Sequence, residues 1–175
     1  MKKILIITIS IALLASCRQQ DIEFLLDENA PQQTMRNATI MHTDSGRVQM
    51  ITWGEEIWNF DDEHETQEFP SNVRATFFDD EGHITSIITA DEGTNWQAKQ
   101  LMNLRGNVVI QDLRDGSRTY TESLFWDQDK AEIYSDVPVL RVFEDGTRQY
   151  GTSFRADDQM QRWDVRNSSF EFILN

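Results

Sequence analysis

Residue types that carry enzyme chemistry are few in this sequence, and they stand apart. The three histidines are His42, His64 and His83. They are too widely spaced for the paired histidines of a zinc hydrolase helix. No Gly-x-x-x-x-Gly-Lys-Ser/Thr run is present to cradle a nucleotide phosphate, and no Gly-x-Ser-x-Gly elbow to expose a nucleophilic serine. Asp61-Asp62-Glu63-His64-Glu65 is dense enough in carboxylates to attract calcium. It lacks the spaced ligands and central glycine of an EF-hand loop, and reads as a solvated loop. Aspartates and glutamates total 30. A glycosidase needs two of them facing one cleft, and no local pattern selects a pair. The expectation is a protein with no catalytic residue, no cofactor and no metal.

Cys17 is different, because its position gives it a chemistry. It is the only cysteine in the chain, so it has no disulfide partner within it. Lys2 and Lys3 open the sequence, an apolar run from Ile4 to Leu14 follows, and Leu14-Ala15-Ser16 leads into Cys17. A basic start, a short apolar stretch and small residues before a cleavage point make a signal peptide. The run is shorter than the roughly 20 residues that span a bilayer. Cysteine in this place is similar to the lipobox of bacterial lipoproteins, in which it is acylated and becomes the mature N-terminus. Each buried methylene then adds about 0.8 kcal/mol of membrane affinity. Residues 1–16 are therefore expected to be an address, and 17–34 a lipidated N-terminus and polar tether. Residues 35–175 are expected to form one folded domain. Loss of residues 1–16 leaves 159 of the 175 residues and, without Lys2 and Lys3, a net charge of −16 in place of −14.

The body reads as β-structure. Val73, Ala75 and Phe77 alternate with Arg74 and Thr76; Ile84, Ser86, Ile88 and Ala90 alternate with Thr85, Ile87 and Thr89; Val139, Arg141 and Phe143 oppose Leu140 and Val142. Alternation of this kind puts successive side chains on opposite faces of a sheet. Several runs are apolar on both faces, as in strands covered on both sides. Turns recur with the strands: Asp44-Ser45-Gly46, Asp80-Glu81-Gly82, Asp115-Gly116 and Asp145-Gly146, their glycines 36, 34 and 30 residues apart. Asp-Gly suits tight hairpins because glycine accepts positive φ and aspartate bonds its own backbone. A strand, a polar break, a tryptophan segment and another strand follow each turn. A period of this length marks stacked units that share one core. Trp53, Trp58, Trp96, Trp126 and Trp163 either fill that core or line a groove for a long apolar ligand.

Composition narrows the partners. Hydrophobic residues make up 39% of the chain, enough for a globular core. Acids outnumber bases by 30 to 16. Nucleic acid is excluded as a partner, since its phosphates call for basic residues. Attachment to anionic lipid by charge alone is excluded on the same ground.

Four segments taken together resemble the LptC family of periplasmic lipopolysaccharide-export proteins. They are Leu104-Arg105-Gly106-Asn107-Val108-Val109, Thr121-Glu122-Ser123-Leu124-Phe125-Trp126-Asp127, Ile133-Tyr134-Ser135-Asp136-Val137-Pro138-Val139 and Gln149-Tyr150-Gly151-Thr152-Ser153-Phe154. The likeness extends from about Met41 to Leu174. It implies an open, twisted antiparallel β jelly-roll, V-shaped in section, whose apolar inside carries the acyl chains of lipopolysaccharide. It also implies edge-to-edge joining to partners. An LptF/LptG transporter would meet the N-terminal edge and an LptA-like protein the C-terminal edge. The family's edge glycines fall on Gly46 and Gly151. The resemblance places the domain in the periplasm at the inner membrane. Many members use an uncleaved membrane helix there, where this chain offers a lipidated Cys17.

For the groove, the residues expected to face inward are Ile57, Phe77, Ile88, Val108, Ile110, Leu124, Val139, Val142 and Phe154. The competing expectation is a β-repeat lipoprotein that serves as envelope scaffold or adhesin and holds no lipid. An enclosed apolar groove favours transport; a solid interior favours the scaffold.

Overall fold

The computed structural model describes residues 30–172. The expected signal peptide, Cys17 and most of the tether lie outside the described residues. The compact unit starts at Pro31, slightly before the expected domain boundary at 35. The reason is local: Gln33 and Thr34 already pair with Asn59 and Trp58 and so belong to the sheet.

Fourteen strands form one antiparallel sheet: β1 (Gln33–Asp44), β2 (Arg47–Asn59), β3 (Thr66–Phe69), β4 (Val73–Phe78), β5 (Ile84–Ala90), β6 (Glu92–Trp96), β7 (Leu101–Asp112), β8 (Arg118–Asp127), β9 (Glu132–Ser135), β10 (Val139–Val142), β11 (Arg148–Gly151), β12 (Ser153–Asp157), β13 (Trp163–Arg166) and β14 (Ser169–Glu171). The one helical piece among the described residues is a single 3₁₀ turn at Gln97–Lys99.

The sheet is folded along a crease into two halves. Sheet I orders its strands β1, β2, β4, β5, β7, β8, β10, β11, β14. Sheet II orders them β1, β2, β3, β6, β7, β8, β9, β12, β13. The long strands β1, β2, β7 and β8 cross the crease and belong to both. All four turns that end in glycine close hairpins of sheet I, and the glycines have φ between 71° and 86°. The repeat seen in the sequence is therefore one hairpin of sheet I followed by strands of sheet II.

Asparagine and glycine make the crease. Asn37, Asn72, Asn107 and Asn167 have φ of 48°, 44°, 46° and 49°, beside Gly106 at 73°. Short amide side chains tolerate this left-handed region better than other non-glycine residues. They also stitch the fold line. Asn72 donates to Glu55, Asn107 to Asp91 at 2.7 Å, and Asn167 to the Thr152 hydroxyl at 3.1 Å. On β2 the turn is made at Gly54, where a Cβ would sit 2.8 Å from both Ile57 and Phe69.

The two inner faces pack on each other as one hydrophobic core that draws on both sheets. Phe77 of sheet I meets Trp126 of sheet II edge-to-face at 5.5 Å.

Candidate functional site

The inner lining follows from register. On sheet I, Met50 lies opposite Phe77, Ile88 opposite Ile110, Val108 opposite Thr121, and Val139 opposite Gly151. On sheet II, Leu104 lies opposite Leu124, Trp126 opposite Ile133, and Phe154 opposite Val165. Because β-strand side chains alternate, each of these pairs puts both members on one face. Apolar side chains thus continue across the strands from β2 to β13.

Eight of the nine residues expected to face inward are here. Ile57, Phe77, Ile88, Val108, Ile110, Leu124, Val139 and Phe154 are at most 4% exposed. Val142 is a correction. It lies on the opposite face of β10 from Val139 and Arg141, half-buried and paired with Arg118 and Arg148. The period of two places Val139 and Val142 on different faces, so both cannot point inward.

Arg141 takes the inner position between them, where its charge would not be expected from the sequence. Its side chain is fully buried. Nη2 donates to Asp115 at 2.8 Å and stands 3.8 Å from Asp112. The guanidinium lies 3.9 Å over the Trp163 ring and 5.5 Å from Phe143. Stacking and a nearby carboxylate are what make a buried guanidinium tolerable. Nε and Nη1, and the Gln149 amide oxygen on the paired strand, have no hydrogen-bond partner among the described residues. For Asp115, burial raises the pKa, but hydrogen bonds from Ser117 and the charge of Arg141 outweigh it and hold the carboxyl below its usual range.

Opposite the crease, the mouth between the sheets holds a cleft of about 520 Å³ lined by His42, Gln49, Asp80, Gln100, Trp126 and Asp158, among others. Trp126 closes its floor, with His42 edge-on at 5.8 Å. Burial lowers the His42 pKa, while burial and then repulsion from Asp157 raise that of Asp158. The apolar lining residues are at most 9% exposed and form one buried cluster.

The edge glycines have distinct roles. Gly46, at φ 81°, forms the β1–β2 turn, and a Cβ there would meet nothing within 4 Å. Its requirement is conformational. Gly151 ends β11, and a Cβ there would fall 2.1 Å from Val165 Cγ1 and 3.0 Å from the Arg166 carbonyl. It lies one strand in from the border, where the chain passes from sheet I to sheet II. The free edges are β1 at the N-terminal end and β13 and β14 at the C-terminal end, since each pairs with one neighbour only among the described residues. Phe170 and Phe172 stack at 6.0 Å near the C-terminal border, 49% and 66% exposed.

The acidic run is a structured turn. Asp62 accepts from the His64 N–H and from both the N–H and the hydroxyl of Thr66, which lowers its pKa. Among the described residues no group of three histidine, cysteine or carboxylate side chains is placed to hold a metal ion.

Fold and site together define a class: a creased β jelly-roll with an apolar lining that ends in open strand edges. Residues 4–167 match the family described as lipopolysaccharide-assembly, LptC-related, and the chain belongs to that family. The fold is also that of a solved structure, LptH of Pseudomonas aeruginosa, titled the LptA-homologous periplasmic component of the conserved lipopolysaccharide transport device. The TM-score is 0.51 at 11% identity, over 85% of this chain and 99% of that one. No curated protein matches the chain. Membership of that family gives the protein its role in lipopolysaccharide assembly, as a component that is not an enzyme.

Proposed function

We propose that this protein is a passive conduit that receives lipopolysaccharide from an inner-membrane transporter and passes it to an LptA-like partner. Substrate enters at the β1 edge, where LptF/LptG docks, and leaves at the C-terminal border formed by β13 and β14. Partners join by adding strands to these edges. The domain works in the periplasm, held at the inner membrane by a lipidated Cys17. The observation that carries this reading is the apolar inner lining, continued from strand to strand between two free borders.

Burial of acyl chains against that lining contributes about 25 cal/mol per Å² removed from water. Many similar weak contacts favour sliding over trapping. The lining is closed in the resting state, so the sheets must part to admit a chain. Partner binding or the pressure of incoming substrate has to supply that work.

The tight interior is also the observation that favours the second reading, a scaffold that never opens. Purification of the full chain from a lipopolysaccharide-producing host separates the two. Mass spectrometry of the intact protein is expected to find bound lipopolysaccharide, lost when Ile88 and Ile110 are both changed to Asp. A protein that is folded and consistently lipid-free contradicts the conduit and supports the scaffold.

A further inference from the structure

The outer faces of the two sheets differ in chemistry. On sheet II, ion pairs cover the surface: Arg36 with Glu56, Arg105 with Glu92, Lys130 with Asp127, and Arg155 with both Glu132 and Asp136. Its aromatic residues are shielded, as where Phe125 stacks on Tyr134 and Arg155 covers the Tyr134 ring at 4.8 Å.

Sheet I has the reverse pattern. Trp53 lies beside Arg74, and a cross-strand row continues through Val109, Tyr120, Leu140 and Tyr150. A second row carries Met41, Ile51, Ile87 and Val142, with Arg118 and Arg148 among them. Met41, Tyr120 and Tyr150 are 57%, 38% and 40% exposed. Two shallow hollows of about 610 and 510 Å³ mark the same face, one beside Trp53 and Arg74, the other between Tyr120 and Tyr150. Away from the hairpin turns and the crease, its one acid is Glu171, which already pairs with Arg148; Glu55, Asp91 and Glu122 stand along the crease itself. Arg74 and Arg118 join no ion pair among the described residues. A chain of net charge −14 has thus kept acid off one face and left arginine, tyrosine, tryptophan and aliphatic side chains there.

We infer that the outer face of sheet I rests on an anionic phospholipid bilayer. Tyrosine and tryptophan favour the membrane interface, where the ring meets the acyl boundary and the polar tip stays wet. Arginine at the same level finds lipid phosphate, and its stem covers apolar surface. Chain length permits it: Cys17 is 16 residues from Gln33, a reach of at most about 55 Å. An anchor at Cys17 therefore holds the domain within that distance of the bilayer and lets this face reach it. The acidic sheet II then faces away, which resolves the conflict between the overall charge and an anionic surface.

This inference rests on the proposed membrane anchor but not on lipopolysaccharide conduction, and its test uses vesicles free of lipopolysaccharide. The full chain, held by its own anchor in vesicles of phosphatidylethanolamine and phosphatidylglycerol, carries a fluorescent amino acid at position 120 or at position 105. Spin-labelled lipid is expected to quench the probe at 120 at least threefold more than at 105. Arg74→Glu with Arg118→Glu should at least halve that quenching, as should vesicles of phosphatidylcholine alone. Circular dichroism checks the fold, and position 150 replaces 120 if that substitution unfolds the chain. Equal quenching at the two positions overturns the inference. So does a probe at 120 shielded from both lipid and water by a bound protein.

Discussion

The two ends of the jelly-roll are built differently. Up to β8, the sheets are tied together by strands common to both. β1 alone pairs with β2 from Gln33 to Asp44, and β7 with β8 from Leu101 to Gln111. After β8 no strand crosses the crease. β9 and β10, β11 and β12, and β13 and β14 are separate four-, five- or three-residue pieces, one to each sheet. The N-terminal border is one continuous strand; the C-terminal border is two short strands, β13 and β14. A sandwich of this kind is clamped at one end and can open at the other. The side-chain contacts across the seam follow the same division. Phe77 and Trp126 lock buried aromatic surfaces near the clamped end, whereas the partly exposed Trp163 rests on Arg141 near the open end. Dispersion and burial hold the first, and a cation–π contact the second.

The division makes graded predictions. The largest effect on function is expected for Gly151→Arg. It drives a side chain into Val165 and the Arg166 backbone, displacing β13 and with it the C-terminal border. Overpacking of this severity costs about 3 kcal/mol, or roughly 10 °C in melting temperature. Binding to an LptA-like partner, measured by pull-down, should be lost. A Gly151→Arg protein that melts normally and binds normally would show that the close approach does not hold the border. At the clamped end, Trp126→Ala removes a buried ring and should cost about 3–5 kcal/mol in denaturant unfolding. Trp163→Ala should cost about 1 kcal/mol or less, given its exposure, yet speed hydrogen exchange in β12 and β13. Equal losses from the two tryptophans would erase the distinction between the ends.

Charge inside the open end gives a subtler test. Arg141→Met replaces the buried guanidinium by an apolar chain of similar length. Stability should change by less than about 1 kcal/mol, because a buried ion pair loses in desolvation much of what it gains in attraction. The stack on Trp163 is lost, so exchange at the seam should rise even without a fall in stability.

The smallest expected effect is pH-dependent. The Asp115 carboxyl is depressed in the folded state by Ser117 and Arg141 against the raising effect of partial desolvation. A depressed folded pKa means that the unfolded chain binds the proton more readily. The contribution is present above the ordinary carboxylate pKa and is lost as pH falls through the folded value. Melting temperature should therefore fall below about pH 4, and Asp115→Asn should flatten part of that fall. An identical acid limb in wild type and variant would remove Asp115 from the account.

Much of this design is visible in the residues. Val73 to Phe77 and Val139 to Val142 alternate as strands must, and the four aspartate–glycine turns, two of them Asp-Gly pairs, are all hairpins of sheet I. The crease is harder to read. Asn37, Asn72 and Asn107 are each 35 residues apart, close to the spacing of the first three turns. An asparagine within a strand-like run reads as a polar outward position, though, and its left-handed backbone is visible only in three dimensions. Arg141 is hidden for a related reason. Alternation puts it inside, but a charged side chain argues for the surface, and only the Asp115 contact and the Trp163 ring reverse that. Val142 reads as inward by its apolar type, against its own alternation. Its place on the outer face of sheet I shows that, in this protein, apolar character does not by itself mark the interior. Gly151 is legible as a constrained residue, while the cause, a neighbouring strand distant in sequence, is not.

The central claim is that lipopolysaccharide travels between the sheets. Photo-crosslinking in cells tests it most directly, with the crosslinker at Ile110 on the inner face and at Val142 on the outer face. Capture of lipopolysaccharide at Ile110 and not at Val142 is the predicted result. Capture at Val142 alone, or at neither position in a protein that supports export, would contradict it.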